Sequence, residues 1–122
     1  MPAASRLWLG LAGLSGSAGV ALSAAAAHAD LRDAALVATS GEFLLFHAPA
    51  LVAVAWLAER RSGVWSSIAG LAFLLGILLF CGTLALRGWG VGTPDGVAPV
   101  GGIALIIGWL VLTGSAIMQS GR

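Results

Sequence analysis

Few side chains in this sequence could take part in chemistry, and most of those stand in or beside its apolar stretches. His28 closes the first stretch, Glu42 and His47 stand early in the second, and Cys81 comes late in the third. Imidazole and thiolate bind metals, and an ionisable group inside a membrane is a candidate for proton transfer. His28 and His47 could therefore ligate a metal or haem, and His28, Glu42 and His47 could form a polar cluster that meets a permeant ion. The competing reading is structural, with polar side chains near helix ends bonding to neighbouring helices. These groups come from separate helices and lack a paired spacing such as H-x-x-x-H, which favours the structural reading. No metal site or cofactor is expected. The lone Cys81 excludes an internal disulfide and a cysteine-only metal site. Neither a nucleophile-base pair, a phosphate-binding glycine loop nor a carboxylate dyad can be found, so enzyme activity is not expected.

The elements that must position these residues follow from composition. Hydrophobic residues make up 59% of the 122-residue chain and charged residues only 9%, too few to coat a water-soluble globule. Lipid is the solvent that suits such a chain. A net charge of +1, with no basic cluster larger than Arg60–Arg61, argues against a nucleic-acid partner.

Charged residues divide the sequence into four stretches, placed at about residues 7–27, 36–58, 64–86 and 97–118 of a single membrane domain. Each reaches the roughly 20 residues a helix needs to cross the hydrocarbon core, the second only by extending upstream past Glu42. No stretch alternates with period two, so a barrel is unsupported. The expected fold is an all-α, four-transmembrane-helix bundle. A short interfacial helix, capped by Asp30, is expected between spans one and two, with Leu31, Ala34, Ala35 and Ala38 on its apolar face. The segment Gly88–Pro99 should form an exposed loop.

With four spans, both termini and the loop at Glu59–Ser62 share one side. That side holds Arg6, Arg60, Arg61 and Arg122, against Arg32 and Arg87 on the other, so both termini are expected in the cytoplasm. Trp8, Trp56, Trp65 and Trp89 fall near span ends as an aromatic belt predicts, whereas Trp109 lies deeper and suggests helix packing. The first stretch ends in Ala27-His28-Ala29, like a signal-peptide cleavage site, but its apolar core exceeds the 7–15 residues usual there. Retention of span one is therefore expected.

Small residues supply the packing signals. Ser15, Gly19, Ser23 and Ala27 recur at every fourth position of span one, where another backbone could approach closely. That backbone could belong to the same bundle, the favoured reading, or to a second copy or a larger membrane complex. Gly76, Gly82, Gly101, Gly102, Gly108 and Trp109 are candidate packing positions in spans three and four. Gly70, Gly76 and Gly82 repeat the spacing of Gly102, Gly108 and Gly114, which chance in a glycine-rich apolar chain also explains. Pro49 deprives the Leu45 carbonyl of its helical partner and is expected to kink span two.

Three stretches carry a family resemblance. Gly19-Val-Ala-Leu-Ser-Ala-Ala-Ala-Ala-His28-Ala29 resembles a glycine-rich first span closing on Gly-Ala-His-Ala. Phe46-His47-Ala48 is similar to a Tyr-His-Ala in a second span. Gly76-Ile-Leu-Leu-Phe-Cys-Gly-Thr83, then Pro99-Val-Gly-Gly102 and Gly108-Trp109, resemble a third span followed by a Thr-Pro-x-Gly-Gly…Gly-Trp signature. Together, nearly the whole chain resembles the YgdD/YwdK-like family of small bacterial membrane proteins of unknown function, which has animal mitochondrial relatives. The resemblance implies four helices and a retained span one, and it implies no reaction. The chain departs from the pattern at Ala98, Cys81, Glu42, Phe43 and Phe46, so Cys81 and Glu42 do not belong to a family-wide mechanism. His28 and His47 are the polar positions that match. The bilayer is the expected environment, and the bacterial inner membrane the expected location.

Overall fold

The computed structural model of the chain describes residues 1–61 and 63–118, which are helical almost throughout. Helix α1 runs Ala3–His28, α2 Ala34–Arg60 and α3 Val64–Gly76; a π-helical turn, Ile77–Cys81, joins α3 to α4 (Gly82–Gly88), and α5 is Val97–Met118. The π turn and its flanking helices make one third span, Val64–Gly88, so four helices are long and apolar enough to cross a bilayer. The chain is thus an all-α integral membrane protein. Helices satisfy their own backbone groups, which hydrocarbon cannot do for them.

The separate short helix expected after Asp30 does not form. Residues 29–33 are non-helical, and Asp33, not Asp30, caps the next helix by accepting from the Leu36 N–H at 3.3 Å. Ala34, Ala35 and Ala38 become the first turns of α2, because Val37 is buried against Gly88 and the Asp33 N–H donates to the Gly88 carbonyl at 3.0 Å. Docking to the third span thus draws this segment into the membrane helix. At the same end, Arg87 donates to Thr93 Oγ1 and pairs with Asp95 at 3.8 Å, holding the loop ahead of α5.

Helix α1 packs along α2 and little else, while the third span lies between α2 and α5. Glycines set the closest approaches. A Cβ on Gly41 would stand 2.7 Å from Ser23 Oγ, and one on Gly19 would stand 3.0 Å from the Gly41 carbonyl oxygen. The small-residue row Ser15-Gly19-Ser23 therefore packs within the chain against α2, and that face is not free for a second copy. On the other side, a Cβ on Gly76 would meet Leu105 and the Gly101 carbonyl, and one on Gly101 would overlap the backbone of Leu79 and Phe80. Helix α5 therefore crosses closest at the π turn, where the third span widens.

Not every expected packing glycine is used. A Cβ on Gly82 or Gly114 would meet nothing within 4 Å, and one on Gly102 would make only ordinary contact with the Phe80 ring. Gly82 does not share the face of Gly76, from which even a regular α-helix would carry it about one and two-thirds turns. Helix α2 runs through Pro49 without a break, from Ala34 to Arg60. The side chains of Phe73, Leu51 and Val54, with Trp8 and Leu105, fill the core.

Candidate functional site

His47 stands at residue 47 of a helix that runs from 34 to 60, thirteen residues from either end. It is therefore at the middle of its helix, not near the outer end of its span as the uncharged run Phe43–Ala58 suggests with Glu42 beside it. The side chain is 5% exposed. Phe43, Phe73 and Trp109 surround it, with ring centroids 6.1, 5.7 and 5.8 Å away. Trp109 also meets Phe73 edge to face, at 5.2 Å and 73°.

Both ring nitrogens of His47 are engaged. Nδ1 lies 2.7 Å from the Phe43 carbonyl oxygen, and the Trp109 indole Nε1–H donates to Nε2 at 3.1 Å. A carbonyl can only accept and an indole N–H can only donate. These partners fix the tautomer: the proton is on Nδ1, Nε2 carries the lone pair, and the ring is neutral. A metal at Nε2 would have to displace the indole, and one at Nδ1 the carbonyl.

Gly108 makes this arrangement sterically possible. A Cβ there would lie 2.6 Å from the Phe73 ring, so its absence lets α5 settle on Phe73 and bring the adjacent Trp109 to His47. Phe73 was not legible as a site residue. Its signal, an aromatic in the middle of an apolar helix, is shared by ordinary core positions.

The candidate polar cluster of His28, Glu42 and His47 does not assemble. Ala48 lies level with Gly16, whose Cβ would be 3.7 Å from the Ala48 side chain, and His28 is twelve residues further along α1. At 1.5 Å per residue, His28 and His47 stand about 18 Å apart along the helix axis. His28 is exposed at the end of α1, and Glu42 is exposed on the face of α2 that also carries Leu45, Phe46 and Pro49. Among the described residues, no group of three His, Cys, Asp or Glu side chains could hold a metal.

Cys81 is 2% exposed and ends the π turn. Its carbonyl accepts from the Ser40 hydroxyl at 2.7 Å, a bond between the buried face of α2 and the third span. Near the other end, the buried Ser5 hydroxyl donates to the Ala55 carbonyl at 2.9 Å and ties α1 to α2. Both serines escaped the sequence reading, since one hydroxyl among apolar neighbours does not reveal its acceptor. Among the described residues, no buried side-chain nitrogen or oxygen lacks a hydrogen-bond partner.

Fold and site together define a small four-span helical membrane protein whose central polar groups are bonded to one another. Residues 22–102 match the family described as protein of unknown function, DUF423. The UPF0382 inner membrane protein YgdD of Escherichia coli K12 is 32% identical over 124 residues, covering 93% of this chain and 91% of that one. A UPF0382 membrane protein of Haemophilus influenzae is 35% identical over 111 residues, covering 86% and 89%. The UPF0382 membrane protein YwdK of Bacillus subtilis is 35% identical over 81 residues, covering 65% and 66%. The chain belongs to this family of membrane proteins of unknown function. No solved structure matches it.

Proposed function

We propose that this protein is a non-enzymatic structural or accessory component of the bacterial inner (plasma) membrane, with both termini in the cytoplasm. One observation carries the reading: the buried histidine at the middle of α2 has both nitrogens committed to internal partners and aromatic rings on three sides. A proton carrier or permeation site needs a nitrogen open to water or substrate, and a ligand needs a free lone pair. Arg6, Arg60 and Arg61 at the end shared by the N-terminus and the α2–α3 connection support the orientation. Any assembly with other proteins uses faces other than the Ser15-Gly19-Ser23 row, which α2 occupies.

The test is reconstitution into liposomes under imposed proton and cation gradients, with metal and chromophore content measured on the same preparation. Flux at the lipid background, and colourless protein without stoichiometric metal, is the expected result. Flux, or bound metal or haem, that disappears in His47→Phe would overturn the reading.

A further inference from the structure

At the end of the bundle that carries Arg6, Arg60 and Arg61, a cleft of about 360 Å³ opens between α2 and α5. It exists because these helices approach through side chains, as at His47 and Trp109, and not backbone to backbone. Ala53, Leu57, Leu112 and Ala116 give it apolar walls, Trp56 flanks it, and Arg61 stands at its end. Small Ala53 and Ala116 leave the space open. Arg61 also lines the adjoining recess formed with Trp65 and Ser66.

Among the described residues, no carboxylate forms an ion pair with the arginines at this mouth. Arg87–Asp95, at the opposite end, is the ion pair among the described residues, and Glu59 pairs with neither Arg60 nor Arg61. The Arg60 guanidinium lies 5.5 Å over the Trp56 ring, which places a second cation beside the same cleft. An apolar furrow running down from two guanidinium groups matches a molecule that is hydrocarbon below and anionic above. A soluble anion would leave the furrow unfilled, and a zwitterionic lipid, whose phosphate carries its own cation, would leave the positive charge unbalanced.

We propose that this cleft binds an anionic phospholipid, its acyl chain along α2 and α5 and its phosphate held by Arg61 with Arg60 beside it. Basic pockets between membrane helices hold lipid headgroups in this manner, and guanidinium matches phosphate geometry. Trp56, with an apolar body and a polar edge, suits the boundary between the two parts of the lipid.

The test titrates the full chain, purified and delipidated in detergent, with phosphatidylglycerol or phosphatidylcholine of identical acyl chains, and counts bound lipid by native mass spectrometry. Phosphatidylglycerol should be retained about fivefold over phosphatidylcholine, the ratio expected for one basic residue at a headgroup. Arg61→Gln should bring that ratio close to one, and Arg32→Gln, at the far end, should leave it unchanged. Ala53→Phe, which fills the cleft while keeping both arginines, should lower retention of both lipids. Equal retention by the wild type, or a ratio unaltered in Arg61→Gln, would overturn the proposal. So would undiminished lipid binding by Ala53→Phe, or displacement of the lipid by millimolar inorganic phosphate, which would mark a plain anion site.

Discussion

The indole of Trp109 donates to Nε2 of His47 across 3.1 Å, joining α5 to the middle of α2 through residues 62 positions apart. The bond dictates that His47 is neutral and that its remaining proton faces the Phe43 carbonyl. It is the polar counterpart of the glycine contacts that hold the other helix pairs together.

Trp109→Phe should keep the aromatic packing and remove the donor. In membranes such hydrogen bonds contribute about 0.6 kcal/mol on average and up to about 1.7. A loss of about 1 kcal/mol is expected, measured by reversible unfolding in mixed detergent and denaturing micelles. His47→Ala should cost more, about 2–4 kcal/mol, because a cavity opens among three rings. In the His47→Phe background, Trp109→Phe should become nearly neutral. An equal cost in both backgrounds would show that the bond contributes nothing.

Glycines that look alike in sequence should respond differently. Gly41→Leu should destabilise by roughly 2 kcal/mol or more, since its Cβ alone would collide with Ser23 and the Gly19 carbonyl. Gly82→Ala meets open space and should be neutral or stabilising by up to about 1 kcal/mol through helix propensity. The same unfolding titration separates them, and equal effects at both positions would contradict the packing described.

Ser40→Ala should cost about 1 kcal/mol by removing the donor to the Cys81 carbonyl. The buried Cys81 thiol should react with a membrane-permeant maleimide far more slowly than in denatured protein. Labelling of the intact wild type at the denatured rate would mean that the third span does not pack as described.

Helix α1 should remain in the mature protein. Without it Gly41 and the Ala55 carbonyl would lose the partners that bury them. Intact-mass measurement should show no cleavage after Ala29, and reporter fusions at the C-terminus should report a cytoplasmic location. A mature chain beginning at Asp30, or an external C-terminus, would refute the respective expectation.

The residues themselves determined that this chain lives in lipid and crosses it as four helices. Few charges and long apolar runs leave no other solvent and no other way to satisfy the backbone. The motifs around His28, Phe46-His47-Ala48 and Gly108-Trp109 were enough to place it in its family. Sequence spacing also marked Ser15, Gly19 and Ser23 as one face, because a period near four puts them on one side of a helix. Position along and around each helix was decided only by tertiary structure. His47 reads as near an end of the uncharged run that begins at Phe43, whereas α2 starts at Ala34, where Val37 docks against Gly88. The separation of His28 from His47 is set by the offset at which α1 and α2 pack. The place where α5 crosses the third span decides that Gly101 is in tight contact while Gly82 is not. Hydropathy reports how long a segment can stay in lipid, but an axial offset, a rotation about the helix and a donor 62 residues away arise only when helices meet.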